Sequence, residues 1–221
     1  MQFEIVNEPR IAIEEQIPSN IRSKFVPIIV DAYQWVYILT NNTDMLKGIR
    51  ARKKTIPELK NVAVEYFVLQ AVKNGSLPYN YRMASNRNNS HTYLELYSEN
   101  TLIHFNQVRN KSSCANRAYC RDRHIKPAYS YMNFEKNIIE FDEQRYFQIN
   151  HGYQSTEPSF VTLGVPNEGG KLSAYINLFD EFTSIEGHYP KSKIEEVDDI
   201  SFEDFQRFAE GEGLDDSEKS S

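Results

Sequence analysis

The first third of the chain carries apolar residues at the spacing of amphipathic helices. One such run extends from Ile21 to Leu39 and contains Pro27, which predicts either one kinked helix or a second helix that starts at the proline. Another run begins near Pro57 and stops before Gly75, a typical helix-ending residue. Its apolar positions are Leu59, Val62, Ala63, Tyr66, Phe67 and Val72. This part of the chain is therefore predicted to be helical.

After the last of these helices the apolar pattern alternates, which is typical of strands. The segments with this alternation are 91–98, 101–108, 145–151, 159–165 and 172–178. The first two flank a turn at Glu99 and Asn100 and predict a hairpin. Helices precede strands and do not alternate with them, so the sequence predicts an α+β fold, with N-terminal helices packed on a mostly antiparallel sheet. We interpret residues 1–190 as a single domain that is helical over 1–75 and sheet-rich over 76–190.

Charge is distributed unevenly along the chain. Residues 1–130 contain 18 Lys and Arg against 11 Asp and Glu, whereas residues 131–221 contain 7 against 20. Between positions 195 and 218, eleven acidic residues stand against one basic residue, Arg207. Such a composition cannot bury enough apolar surface to order itself. We therefore expect residues 191–221 to form an acidic, disordered tail, and the asymmetry points to charged partners.

Several features bear on the cellular compartment. The N-terminus has no basic stretch followed by an apolar core, so we expect no secretory signal. The most apolar window, residues 26–39, is shorter than the roughly 18 residues that a membrane span needs, so we expect no membrane partner. Cys114 and Cys120 are the only cysteines, and we expect both to be reduced thiols. Together these features favour a cytoplasmic protein.

Two clusters of cationic residues stand out. The first basic cluster consists of Arg50, Arg52, Lys53 and Lys54, and the second consists of Arg109, Lys111, Arg117, Arg121 and Arg123. Tyr93 and Tyr97 shortly precede the second cluster. Cationic side chains neutralise phosphates, and aromatic rings stack on bases. We therefore predict that these residues bind nucleic acid, preferably single-stranded, with a solvated cationic surface as the alternative.

Two cysteines and a histidine are spaced like the ligands of a metal site. Cys114, Cys120 and His124 follow the pattern C-x5-C-x3-H, which resembles the last three ligands of the Cys-Cys-Cys-His zinc fingers that bind single-stranded RNA. The leading cysteine of that family is absent, and His104 is the only nearby substitute. Structural zinc requires four ligands, so we expect no metal here and no cofactor.

The tail contains a pattern of its own. Phe202, Phe205 and Phe208 recur at three-residue spacing and predict a short amphipathic helix over residues 201–209. A helix this short needs a groove to dock into, in its own chain or in a partner protein. Residues 198–202 also resemble the acidic, aromatic-ended tip of bacterial single-stranded-DNA-binding proteins. That resemblance implies docking onto partner proteins and competition with DNA for the basic body.

Three functions remain open on the sequence. The first is a non-enzymatic regulatory protein whose basic clusters bind nucleic acid and whose tail masks them or recruits a partner. The second is a protein-only inhibitor, antitoxin or adaptor that acts through the phenylalanines of the tail. The third is a small hydrolase or nuclease centred on His151 as general base, oriented by Glu157 or Glu168, with Glu95 as a candidate metal carboxylate of a nuclease. No nucleophile elbow or phosphate loop occurs, so we rank the enzyme last and assign no catalytic residue.

Overall fold

The computed structural model describes residues 3–6, 8–86, 90–116, 118–125, 129–133, 138–141, 144–152, 156–183 and 202–211. The helices are α1 (Pro9–Gln16), α2 (Ser19–Asn42), α3 (Ile56–Lys73), α4 (Tyr119–Asp122), α5 (Leu178–Thr183) and α6 (Phe202–Glu210). The strands are β1 (Phe3–Val6), β2 (Asn80–Ser85), β3 (Thr92–Tyr97), β4 (Thr101–Gln107), β5 (Tyr129–Asn133), β6 (Ile138–Phe141), β7 (Arg145–His151), β8 (Val161–Pro166) and β9 (Leu172–Asn177). Helices packed on a mostly antiparallel sheet confirm the α+β class.

The helix α2 continues through Pro27 without a restart. A proline inside a helix removes one hydrogen bond and destabilises by about 3 kcal/mol. Burial outweighs this loss, because Phe25, Ile29 and Val36 are fully buried on one side of α2 and each such side chain contributes about 1.5–3 kcal/mol. Long as α2 is, neither it nor any other helix in the described residues is both long and apolar enough to cross a membrane.

Six strands form the large sheet in the order β2-β3-β4-β7-β8-β9. Every neighbouring pair is antiparallel except β4 and β7, which run parallel at the centre. The predicted hairpin corresponds to β3 and β4, and the three later predicted strands correspond to β7, β8 and β9. The sequence patterns missed β1, α1, β2, β5 and β6, and β1, β5 and β6 form a separate three-stranded antiparallel sheet.

The two faces of the large sheet differ in chemistry. On the face that we call the helix face, the strands pack against α2 and α3 in one apolar core. The central strands contribute Leu94, Leu96, Ile103, Phe105, Phe147 and Ile149 to this core. Since side chains alternate along a strand, the residues between these positions lie on the opposite side, which we call the outer face.

The helix α6 lies where the sequence predicts a helix over residues 201–209. It packs on α2 and α3 of its own chain, which we call the helix layer. The Phe205 ring centre lies 4.4 Å from that of Trp35 and 5.4 Å from that of Tyr66. Phe208 lies 5.3 Å from Tyr66, and both phenylalanines are buried. Only Phe202 remains largely exposed. The groove that this amphipathic helix needs is therefore provided by α2 and α3.

Candidate functional site

The outer face is polar at the centre of the sheet. Apart from the buried Leu102, its side chains on β3, β4 and β7 are Tyr93, Glu95, Tyr97, His104, Asn106, Tyr146, Gln148 and Asn150. Glu95 pairs directly with His104 in the register of β3 and β4, and His104 pairs with Gln148 in the register of β4 and β7. Glu95 and His104 are almost completely buried. Buried polar groups such as these require hydrogen-bond partners.

A chain of hydrogen bonds crosses the outer face from β3 to β7. Glu95 Oε1 lies 2.8 Å from His104 Nε2, and His104 Nδ1 lies 3.0 Å from the Tyr146 hydroxyl. Gln148 Nε2 donates to the Tyr146 hydroxyl oxygen at 3.1 Å. The hydroxyl proton is then directed to His104 Nδ1, and His104 Nε2–H donates to Glu95. Burial lowers the pKa of His104 and outweighs the opposing effect of Glu95, so this ring is neutral.

A segment after β4 covers part of the outer face. We call residues 112–116 and 118–125, which include α4, the covering segment. The Ala115 backbone N–H donates to Gln148 Oε1 at 3.1 Å, and Asn150 Nδ2 donates to the Ser113 carbonyl at 3.0 Å. The sheet's own amide side chains thus fix the start of this segment, which positions the arginines that follow.

Arginines surround the Glu95 carboxylate. Arg82 Nε on β2 donates to Glu95 Oε2 at 2.5 Å, and Arg123 Nη2 lies 3.9 Å from Oε1. Burial opposes ionisation of Glu95, but the hydrogen bonds from His104 and Arg82 and the positive charge of Arg82 prevail and lower its pKa to about 2. Arg121 donates to Asn106 Oδ1 at 3.3 Å beside them. Cations outnumber anions in this group even when Asp122 of α4 is counted, so it attracts anions.

The same cluster contains side chains of the types that bind metals. Glu95, His104 and His124 each place one ligand atom within 4.8 Å of the others, and neither cysteine belongs to this set. Arg123 Nε donates to His124 Nε2 at 2.9 Å, and burial followed by the Arg123 charge lowers the pKa of His124 to about 4. Hydrogen bonds from protein donors therefore already use the Glu95 carboxylate and His124 Nε2, and the guanidinium groups repel a cation. The residues fit an anion better than a metal.

The structure gathers part of the predicted nucleic-acid interface and separates the rest. Tyr93, Tyr97, Arg121 and Arg123 all belong to the outer face or its cover. Arg109 and Lys111 are exposed just before the covering segment, and Arg117 lies outside the described residues. The sequence places Arg82 near the basic clusters but does not assign it to the interface, although Tyr81 and Met83 alternate around it in the manner of a strand.

Two clefts are lined by residues of the outer face or of the first basic cluster. The polar cleft, about 250 Å³, is lined by Asn61, Glu65, His91, Tyr93, Asn106 and Arg121, among others. The cationic cleft, about 280 Å³, is lined by Lys47, Arg52 and Lys60 beside apolar residues of α2. Pro57 lines both clefts, so they adjoin. Arg50, Lys53 and Lys54 are exposed on the short π-helical segment, Ala51–Thr55, and the residue before it, which lead into α3.

His151 lies on the other side of the sheet from this cluster. Its ring is fully buried, and its Nδ1 lies 2.8 Å from the Tyr33 hydroxyl of α2. Burial, with a smaller contribution from the charge of Lys60, lowers its pKa to about 3. Glu157 and Glu168 are exposed on surface loops. A general base must reach the substrate, so the structure places His151 in a packing role and gives no support to an enzyme centred on it.

Comparison with known proteins adds no relative. No protein-family model, no curated protein and no solved structure matches the chain.

Proposed function

We propose that the outer face binds single-stranded nucleic acid and that the protein acts by binding alone. The observation that supports this best is that Arg82 and Arg123 lie beside one carboxylate, Glu95, with Arg121 held nearby by Asn106, so that cations outnumber anions in the cluster. The side chains of Arg82 and Arg123 are about half exposed. Their planar guanidinium groups match the geometry of phosphate oxygens.

Aromatic rings beside these cations favour a single strand over a duplex. The Arg82 guanidinium lies 5.4 Å from the centre of the Tyr97 ring, and Tyr119 on α4 is 67% exposed. Rings of this kind stack on unpaired bases, whose faces are inaccessible in a duplex. The first basic cluster, whose Arg52 lines the adjoining cationic cleft, supplies further phosphate contacts along the strand.

The described part of the tail lies away from this surface. Phe205 and Phe208 hold α6 on the helix layer, whereas the arginines lie on the outer face. Within the described residues, α6 therefore leaves the outer face uncovered. Of the three phenylalanines assigned to a partner protein, only Phe202 stays exposed, so the inhibitor or adaptor function ranks second.

Removing two arginines of the covering segment is expected to weaken binding regardless of base sequence. The double variant Arg121→Ala with Arg123→Ala loses two phosphate contacts, and each contact releases roughly one counterion. The slope of log affinity against log salt concentration should therefore fall by about two. Fluorescence anisotropy of a labelled single strand over a salt series measures both effects.

A charge-matched control separates this local effect from a change in net charge. Arg10→Ala with Lys73→Ala removes two exposed cations from α1 and the end of α3, and it should bind nearly as the parent protein does. If the Arg121 and Arg123 variant also binds as the parent, the outer face is a solvated cationic surface, and the inhibitor or adaptor function takes first place.

Replacing Tyr97 is expected to weaken binding through stacking and not through charge. Tyr97→Ala should weaken single-strand binding by about 1–3 kcal/mol with little change in salt slope, and Tyr97→Phe should retain the affinity because it keeps the ring. Equal affinities for the alanine variant and the parent would show that no base stacks on this residue.

A further inference from the structure

The polar cleft lies at the end of the sheet where β3 begins and β4 ends. Asn61 and Glu65, one helical turn apart on α3, form one wall, because residues four apart share a helix face. Asn106 and Arg121 line the cleft from the outer face. At about 250 Å³ it is smaller than the roughly 300–1,000 Å³ of pockets for drug-sized ligands. Its size suits one flat ring system.

Two amide groups in this cleft have unsatisfied hydrogen-bonding atoms. Asn61 Oδ1, an acceptor, and Asn106 Nδ2, a donor, are buried and have no hydrogen-bond partner in the described part of the chain. Leaving a buried polar atom unpaired destabilises a protein by about 1–3 kcal/mol. A ligand that offers a donor to Asn61 and an acceptor to Asn106 removes this penalty.

Glu65 adds a second donor and acceptor pair. Its side chain is 5% exposed, and burial raises its pKa to about 8, although the Leu94 backbone N–H donates to it and opposes the shift. At neutral pH the group is therefore mostly an uncharged carboxylic acid. In that form it donates through O–H and accepts through C=O.

The remaining lining residues suit a base attached to a nucleic-acid strand. The rings of His91 and Tyr93 are near parallel, with an interplanar angle of 20° and centres 6.5 Å apart, and offer flat aromatic surface beside the amides. Arg121 lines the cleft and also belongs to the cluster proposed to bind phosphates. A strand held by that cluster therefore has its next base within reach of the cleft.

We propose that the polar cleft binds the Watson–Crick edge of one unpaired base, and that on this edge the base carries an exocyclic amino group next to a ring-nitrogen acceptor, as cytosine and adenine do. This inference rests on the proposed function, because the strand delivers the base. Glu65 donates to the ring nitrogen and accepts from the amino group, and Asn61 accepts the second amino proton. Asn106 donates to a remaining acceptor. Thymine, uracil and guanine carry a proton on the corresponding ring nitrogen and oppose the Glu65 donor.

The test compares oligodeoxycytidine with oligodeoxythymidine of equal length. Both are pyrimidine strands, and they differ at the edge of the base that carries the amino group and the ring nitrogen. By anisotropy at fixed salt concentration, the parent protein is expected to bind the cytidine strand about tenfold more tightly, as a good pair of base contacts gives. Asn61→Leu should reduce that preference and leave thymidine-strand affinity unchanged. Since Asn61 Oδ1 makes no hydrogen bond in the described residues, this variant is expected to fold.

A variant and a control on α3 complete the design. Glu65→Gln keeps a donor and an acceptor and should retain the preference for the cytidine strand. Glu58→Gln, on the exposed rim of the cleft, should leave that preference unchanged as well. Equal affinity of the parent for both strands, or a preference that persists in Asn61→Leu, overturns the proposal that the cleft binds a base. It does not overturn the proposed function. Absence of binding to either strand at low salt overturns the proposed function as well.

Discussion

Phe205→Ala is expected to destabilise the protein by about 3–5 kcal/mol, the usual effect of removing a buried aromatic side chain. Phe205 is 4% exposed and contacts Trp35 of α2 and Tyr66 of α3. Its loss opens a cavity between these helices, and α6 has too few residues to stay helical without that contact. Equilibrium denaturation in urea, followed by the fluorescence of Trp35, the single tryptophan of the chain, measures the change.

Phe202→Ala provides the matched comparison within the same helix. Its ring is 54% exposed and lies 6.4 Å from Trp35, so the loss should stay below about 1 kcal/mol. If both variants lost equally little free energy of unfolding, α6 would not be part of the folded body. All three phenylalanines would then be available to bind a partner protein.

Glu65→Gln is expected to remove a large part of the pH dependence of stability between about pH 5 and pH 8. The pKa of Glu65 rises from 4.5 to about 8 in the folded protein, so the folded state binds more protons than the unfolded state in this window. The free energy of unfolding therefore falls as the pH rises, by up to about 1.4 kcal/mol per pH unit. Glutamine has nearly the same shape and carries no proton that titrates.

The measurement is the free energy of unfolding of parent and variant at pH 6 and pH 8. From pH 6 to pH 8, we expect the free energy of unfolding to fall by about 2 kcal/mol more in the parent than in Glu65→Gln. Glu58→Gln on the exposed rim should follow the parent. Parallel curves for the parent and Glu65→Gln would mean that Glu65 is charged in the folded protein, and its role as a donor in the polar cleft would be wrong.

Much of the fold follows from local patterns in the sequence. The run that ends before Gly75 and the alternating segments on either side of Glu99 and Asn100 correspond to α3 and to the hairpin of β3 and β4. Strands in which apolar and polar residues do not alternate strongly, such as β2, depend on pairing with a neighbouring strand for their stability. The parallel pairing of β4 with β7 depends on the path of the chain between them, which no local pattern specifies.

The site was predictable only in part, because it is assembled by strand register. The sequence pointed to Arg121 and Arg123 as cations near tyrosines, which is a property of neighbouring residues. The pairing of Glu95 with His104 and the approach of Arg82 come from three adjacent strands. The polar cleft joins α3 to β4, and the two amide atoms without a partner in the described residues, Asn61 Oδ1 and Asn106 Nδ2, are recognisable only once burial is known.

The parallel pairing at the centre of the sheet has a consequence for how this surface can change during evolution. Two parallel neighbours require the chain to travel back along the sheet before the second strand begins, and that return path, residues 108–144, includes the covering segment. Arg121 and Arg123 are thus carried by a connection that hydrogen bonds with Gln148 and Asn150 hold to the sheet, while the apolar core of the described residues is built from other parts of the chain. Substitutions in this connection can alter the ligand preference without repacking the core, so related chains should share the sheet and differ most in these residues.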